Sequence, residues 1–346
     1  MKSVNLKYSR NQVNKAGDIL RTPQCSDADR KWADEVLGNW RAVHNYPINT
    51  FQATLRQKLS GIDEKALVAQ RLKRIPSIIE KMKRFPQMQL ARMQDIGGLR
   101  AVIRNIKAVN SLYKNYKGTH FQHKLFSEKN YILKPKPSGY RGIHLIYSHY
   151  NKRVPGYDKL FLELQIRTRQ QHAWATAVET MDVFLKSALK SSEGPKEWKN
   201  FFSLTGSAFA HLEKQNPVPG YEHLDSMDTY RAVTKKSKQL KIHDKLSEFG
   251  KAIELISDKR KGSYYLLILD SIEKRLEFTT YSKDRFDIAT NEYLSAEKTH
   301  EGVSHKQIVL VSTESVDALK RAYPNYFLNT KEFLKTLKKI ETKANE

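Results

Sequence analysis

Cysteine is almost missing from this chain: Cys25 is the one thiol in 346 residues. A single cysteine excludes an intrachain disulfide and a multi-cysteine metal cluster, and it suits a reducing compartment. Long apolar runs are missing too. The densest, residues 264–269, is strand-sized and far short of the ~20 residues that a membrane-spanning helix needs. The opening residues Met1-Lys2-Ser3-Val4-Asn5 lack the apolar core of a secretory leader. A cytoplasmic protein without a membrane partner is therefore expected. Acidic residues are scarce beside basic ones. Only 37 Asp and Glu face 61 Lys and Arg, a formal net charge of +24. Chemistry on small nucleotides alone does not require that excess, whereas a long polyanion such as RNA is drawn to it. Internal repeats and long low-complexity segments are also lacking.

What is present suffices for two domains with proper cores, at 39% hydrophobic residues. Residues 1–25 read as a polar, basic lead-in. Ser26 caps a helix with Asp27 and Asp29 in its first turn. Trp32, Val36, Leu37 and Trp40 fall on one side of it at core spacing. Pro47 breaks that run. Further helices are expected over 48–59, closed by Gly61, over 63–75, and from Pro76 through Arg84. Strands then alternate with helices: strand 98–103, helix 106–115, a strand or loop at 120–125, strands 143–149 and 159–167, helix 170–186. Such alternation predicts a mixed sheet packed by helices. Turn-forming composition at 191–193 and 216–220 brackets the helices that close a first domain, residues 1–228. A single Lys-rich helix over 229–255 forms most of a connector, 229–262. Residues 263–346 read as a small α+β domain with its own core. Within it lie a hairpin (263–270 and 275–281), a helix (284–299), a strand (307–312) and two more helices (315–321 and 330–340).

The most informative stretch is 129–168. It contains the loop Pro137-Ser138-Gly139-Tyr140-Arg141-Gly142-Ile143-His144 and the strand Leu162-Glu163-Leu164-Gln165-Ile166-Arg167-Thr168. Strand side chains alternate faces, so Glu163, Gln165 and Arg167 share one face and Leu162, Leu164 and Ile166 the other. An acid, an amide and a guanidinium in a row make either a solvated outer face or a polar floor for a charged ligand. Gly139, which frees the backbone to turn, and Tyr140, which offers a flat ring beside Arg141 and His144, favour the floor. Upstream lie Arg71-Leu72-Lys73-Arg74 and Asp95-Ile96-Gly97-Gly98-Leu99-Arg100.

These four motifs, in this order, resemble the synthetase domain of the RelA/SpoT family, which makes ppGpp and pppGpp. The family's Gly-Tyr-Arg-Ser-x-His loop appears as Gly-Tyr-Arg-Gly-Ile-His, and its Glu-x-Gln-x-Arg-Thr strand as Glu-Leu-Gln-Ile-Arg-Thr. The resemblance spans about 50–190. It implies a nucleotidyltransferase-like mixed sheet and transfer of a diphosphate from ATP to a ribose 3′-hydroxyl, with Mg²⁺. Such chemistry depends on positioned cations and a metal more than on a covalent nucleophile. By the resemblance Asp95 and Glu163 are the catalytic, metal-binding carboxylates, Glu163 also helping to activate the hydroxyl. Arg71 and Arg100 sandwich the adenine of ATP, and Lys73, with Lys81 and Lys129, meets its phosphates. Tyr140 stacks on the acceptor base, while Arg141, His144 and Gln165 complete the acceptor side. Two departures stand out: Asn130 replaces an Asp in the family's Lys-Asp-Tyr-Ile, and Gly142 replaces the loop Ser. Too few residues precede Arg71 for the hydrolase of the large family members, so synthesis without hydrolysis is expected.

Beyond this region, Tyr323-Pro324-Asn325-Tyr326 resembles the Tyr-x-x-Tyr element of the CapRel proteins, fused toxin–antitoxin members of the small alarmone synthetase group. That resemblance implies a tRNA-modifying toxin domain. It also implies a C-terminal pseudo-zinc-finger whose Tyr323 and Tyr326 cover the adenine site until a phage capsid protein binds. Lack of a cysteine cluster agrees with a finger that has lost its zinc. Exposed apolar residues such as Val316, Leu319 and Phe327 are then candidates for sensing the trigger. A tRNA 3′ end would dock on Lys134, Lys136, Lys152 and Arg153. Three functions remain in view: a tRNA 3′-end pyrophosphokinase, an alarmone synthetase acting on free nucleotides, and a catalytically dead RNA-binding regulator. The presence of both carboxylates disfavours the last, and the net charge favours the first.

Overall fold

The computed structural model describes every residue except 1–3, 23, 119–120, 188–194, 252–261, 271, 274, 301–302, 304, 314 and 328. The composition change expected at 191–193 and residues 252–261 of the proposed connector lie outside the described residues.

Three helices open the chain. The supposed lead-in contains α1 (Arg10–Arg21), started by a reciprocal capping box between Ser9 and Gln12. Next come α2 (Asp27–Val43), capped by Ser26 as expected, and α3 (Asn45–Ser60), which accommodates Pro47 in its first turn. Residues 63–75 do not form a helix. Their centre is β1 (Leu67–Leu72), which lies between two strands and takes its conformation from that pairing. After α4 (Ile75–Arg84) come β2 (Gly97–Ile103), α5 (Ile106–Lys117), β3 (Lys124–Asn130), β4 (Ile143–Ser148), β5 (Phe161–Thr168) and α6 (Arg169–Ser187). Then α7 (Pro195–Leu212) is followed by α8 (Ser226–Gln239) and α9 (Ile242–Lys251). The single long helix expected here is two, broken where Lys241 takes a positive φ of 51°. The chain ends with β6 (Tyr264–Asp270), β7 (Arg275–Tyr281), α10 (Phe286–Thr299), β8 (Lys306–Ser312), α11 (Val316–Ala322) and α12 (Lys331–Lys343).

Among the described residues the strands form one eight-stranded sheet in the order β3-β4-β5-β2-β1-β8-β6-β7. β2 and β5 run parallel, and the other neighbours are antiparallel. One face packs on α3 and α5 through Phe51, Leu55, Val109 and Leu112 against Leu99, Leu145 and Leu164. The opposite face meets α6, α7 and α12, with Trp174, Phe201, Phe209, Phe333 and Leu337 in its core. Helices α1, α2 and α4 enclose a third cluster around Leu37, Trp40 and Met82.

The expectation that 263–346 has a core to itself is corrected on one side only. Tyr264, Leu266, Tyr293 and Ile308 do form a separate cluster. On the other side, Leu267, Val309, Leu319, Tyr326 and Phe333 share one core with α6 and α7. The segment is a three-stranded extension of the main sheet with α10, α11 and α12, joined edge to edge where β8 pairs with β1. A buried ion pair reinforces the junction. Arg41 on α2 meets Glu297 on α10 at 3.2 Å and donates to the Tyr293 hydroxyl at 2.6 Å. Its Nε donates to the Lys73 carbonyl, and Glu297 accepts from the Ile75 N–H. No helix among the described residues is long and apolar enough to cross a membrane.

Candidate active site

Register explains why the motifs meet. Cross-strand neighbours share a face, so His144 on β4, Gln165 on β5, Arg100 on β2 and Ala69 on β1 form one row. The adjacent row holds Glu163, Gly98 and Arg71. Gly98 and Ala69 carry almost no side chain, so a hollow opens between the longer polar groups. This cavity, about 220 Å³, is lined by Ala69, Arg71, Lys73, Asp95, Gly98, Leu99, Arg100, His144, Glu163, Gln165 and Tyr323.

A closed ring of hydrogen bonds forms the wall on the β4–β5 side. Arg167 donates to the Tyr140 hydroxyl at 2.8 Å and to Gln165 Oε1 at 3.0 Å. Gln165 Nε2 donates to Glu163 Oε2 at 2.8 Å. His144 Nδ1 lies 2.7 Å from Glu163 Oε1, and its Nε2 meets the Tyr140 hydroxyl. Burial pushes the Glu163 carboxyl up, but the hydrogen bond and charge of His144, then Gln165 and Arg167, bring it down to about 2. Glu163 is thus a fixed negative charge at neutral pH.

Asp95 stands at the other end of the cavity. The Lys73 N–H donates to the Ile96 carbonyl, which sets Lys73 beside the Asp95 turn. Lys73 Nζ is 3.0 Å from Asp95 Oδ2 and Lys81 Nζ is 2.8 Å from Oδ1. Both lysines therefore reach the site, gripping a carboxylate. Arg71 and Arg100 lie over the floor between. Burial lowers the Arg71 pKa, but Tyr326, Glu179, Tyr323 and Glu163 more than offset it and hold the guanidinium charged. Burial, with the charge of Arg167, pushes Arg100 down to about 10. Arg100 Nε and Arg167 Nη1 are buried and have no hydrogen-bond partner among the described residues. Buried donors ordinarily have an acceptor, and these two have none among the described residues.

Loop placement follows from packing. Gly139 has a φ of +95°, and a Cβ there would meet the Trp174 ring at 2.7 Å and the Phe202 carbonyl at 2.8 Å. Only glycine fits, and the loop is further tied by Ser203, which donates to the Pro137 carbonyl. Tyr140 is thereby fixed, with the Arg167 guanidinium 4.9 Å and the Lys136 ammonium 5.2 Å from its ring centroid. Tyr323 arrives from the C-terminal segment. It is 3% exposed, donates to the Gln70 carbonyl at 2.8 Å and lies edge-on to Tyr326, itself 1% exposed.

Three expected assignments change. Arg141 does not face the cavity; it is buried against Glu213 at 2.7 Å, on the far side of the loop. Lys129, exposed on β3, is not among the cavity residues, although it pairs in register with His144. The four cations expected to hold RNA are all exposed. Lys134 and Lys136 precede β4, whereas Lys152 and Arg153 follow its other end, ~20 Å away for a six-residue strand. Leu319 and Phe327 are buried and Val316 is packed on the core, so none is a surface sensor. Two residues went unassigned in the sequence. Arg167 was legible on the polar face of its strand, and Glu179 on α6 supplies a third carboxylate beside Arg71 and Arg100.

Metal fit can be judged from the donors. Among the described residues no group of three or more His, Cys, Asp or Glu could cage a metal. Magnesium needs no such cage, since it binds through one or two carboxylates plus phosphate oxygens and water, and Asp95 and Glu163 line one cavity.

Comparison with known proteins agrees with the geometry. Residues 70–183 match the family described as "Region found in RelA / SpoT proteins". This region, about a third of the chain, contains all the cavity residues except Ala69 and Tyr323. Over 117 residues the chain is 31% identical to the GTP pyrophosphokinase YjbM of Bacillus subtilis (strain 168), covering 33% of this chain and 55% of that protein. It is 28% identical over 138 residues to the GTP pyrophosphokinase of Escherichia coli (strain K12), covering 40% and 17%. The chain thus spans about half the length, or less, of these curated relatives. Small alarmone synthetase 1 from Bacillus subtilis, solved with its product pppGpp, aligns over 49% of this chain and 90% of its own, at 26% identity and a TM-score of 0.40.

Proposed function

We propose that the chain is a RelA/SpoT-type diphosphotransferase that moves a diphosphate from ATP to a ribose 3′-hydroxyl. The carrying observation is one cavity that holds two carboxylates, Arg71 and an Arg100 whose Nε has no partner among the described residues, over a glycine-alanine floor. Arg71 and Arg100 bind the adenine and neighbouring phosphate of ATP, since guanidinium planes suit both. Lys73 and Lys81 turn from Asp95 toward the phosphates as the donor enters. Asp95 and Glu163 hold Mg²⁺, which supplies charge neutralisation on the transferring group when bound. Glu163, with its carboxyl so far down, acts by charge and orientation, because a general base works best near the operating pH. His144, Gln165 and Tyr140 order the acceptor ribose.

For the acceptor we favour the 3′-terminal adenosine of tRNA, on the strength of the +24 net charge. A free guanine nucleotide is the second reading, and the names of the curated relatives favour it. Tyr323 and Tyr326 make this form autoinhibited: a phenol against Arg71 and Arg100 competes with adenine for the same groups. Residues 263–346 are the inhibitory part, 229–262 its connection, and release comes from a partner that binds the open state better. The resemblance to CapRel proteins suggests a phage capsid protein for that partner. ATP binding to wild type and to Tyr323→Ala tests the lid. Tighter binding in the folded variant supports it, and unchanged affinity refutes it while leaving the transferase reading in place.

A further inference from the structure

A second cavity, about 720 Å³, lies apart from the one just described. It opens on the same sheet face, one row beyond Arg100 and Ala69, where Val102 pairs with Leu67. Its walls come from both parts of the chain: the start of α6, the end of α11 and the first turn of α12. Six cationic side chains line it, among them Lys65, Arg169, Lys320 and Arg321, against two carboxylates, Glu64 and Glu332. Lys331, Glu332 and Phe333 present the N-terminal turn of α12, and Thr330 before them gives no side-chain cap. Its hydroxyl is turned to the Leu246 carbonyl instead. The Asn329 side chain accepts from the Lys331 N–H in its place, so the attraction for an anion comes from the cationic side chains of the wall.

A second observation points to more than an anion. His172, 6% exposed, lines the cavity and donates from Nε2 to the Arg321 carbonyl at 3.3 Å. Its Nδ1 is therefore a bare lone pair, and it has no partner among the described residues. A phosphate oxygen cannot satisfy it; a hydroxyl or amino group can. Burial, with the charges of Arg100 and Arg167, holds this imidazole well below its usual range, so the lone pair persists through ordinary pH. The volume suits a nucleotide-sized molecule.

We propose that this cavity binds a phosphorylated small molecule carrying hydroxyl or amino donors, a nucleotide or sugar phosphate, and that its occupancy bears on the donor pocket through the wall at 321–324. That wall is thin. Arg321 and Pro324 line the larger cavity, and Tyr323 between them lines the smaller. Ligand binding does not depend on the transfer reading; its consequence for the donor pocket does.

The test uses GTP as probe, with inorganic tripolyphosphate as an anion lacking donors, in calorimetric titrations without divalent metal. The protein is the full chain carrying Arg71→Ala/Lys73→Ala, which removes nucleotide binding at the donor pocket. One GTP per chain should still bind, tighter than tripolyphosphate by about tenfold or more. Adding Ala318→Trp, which fills the cavity, or Lys65→Glu/Lys320→Glu should weaken GTP by at least about tenfold. Lys107→Glu/Lys114→Glu, an equal charge change on α5, should leave it unaltered. Hydrogen exchange across 321–327 should change when GTP binds. No binding in the donor-pocket variant, or equal weakening by both charge reversals, would overturn the site. Unchanged exchange at 321–327 would overturn the coupling. If Ala318→Trp fails to fold, the two charge reversals decide between the outcomes.

Discussion

Glu163 allows the sharpest test of the polar ring, because its electrostatics translate into stability. Its carboxyl sits at about 2 in the folded chain against an ordinary value of 4.5. A depressed carboxyl contributes stability above its unfolded value and loses it as pH falls through 4.5 toward 2. The difference, about 2.5 pH units at 1.36 kcal/mol each, amounts to roughly 3 kcal/mol at neutral pH. Glu163→Gln keeps the shape and abolishes the titration. Urea unfolding of wild type and Glu163→Gln at pH 7, 5 and 3.5 therefore isolates this one group from the other carboxylates. The gap between the two proteins should be nearly constant from pH 7 to 5 and narrow by about 1 kcal/mol at pH 3.5. A gap independent of pH would show that His144 and Gln165 do not hold the carboxylate as described. A gap that widens on acidification would reverse the sign and refute the electrostatic account altogether.

Other consequences are equally direct. Arg41→Ala should cost about 3–5 kcal/mol by leaving Glu297 buried and unpaired, whereas Arg41→Met/Glu297→Leu should recover most of that in thermal or urea unfolding. Gly139→Ala should destabilise by roughly 2–4 kcal/mol and slow transfer, since the loop must shift off Trp174 and Phe202 and take Tyr140 with it. Tyr323→Phe should lose about 1 kcal/mol with the bond to the Gln70 carbonyl and still cover the cavity, so ATP affinity stays near wild type. Asp95→Asn should leave the fold intact and abolish transfer, and wild-type rates from that folded variant would remove Asp95 from the site.

Much of the sheet was legible because its cues are local. Alternation in 162–168 pointed to both the strand and its polar face, and the loop glycine and the helix cap at Ser26 are short-range devices. The misreadings have physical causes. Residues 63–75 hold apolar positions compatible with either period, and only pairing with β2 and β8 makes 67–72 a strand. Since β8 lies over 200 residues downstream of β1, no local pattern could reveal that the C-terminal segment continues the same sheet. Arg141 follows Tyr140 directly, and its neighbour's place in the site said nothing of a Glu213 that comes from α7. The lead-in was different: the capping box of Ser9 and Gln12 was written in the sequence and marks the start of α1.

The central claim is transfer of a diphosphate to a 3′-hydroxyl. It is tested most directly by incubating the chain with ATP labelled on its γ-phosphate and Mg²⁺. Acceptors are tRNA, periodate-oxidised tRNA, GDP and GTP, each offered to wild type, Tyr323→Ala and Glu163→Gln. The account predicts label in intact tRNA, none in oxidised tRNA, more with Tyr323→Ala than with wild type, and none with Glu163→Gln. Label in GDP or GTP alone would leave the transferase and replace the acceptor; no label in any acceptor from folded Tyr323→Ala would contradict the claim itself.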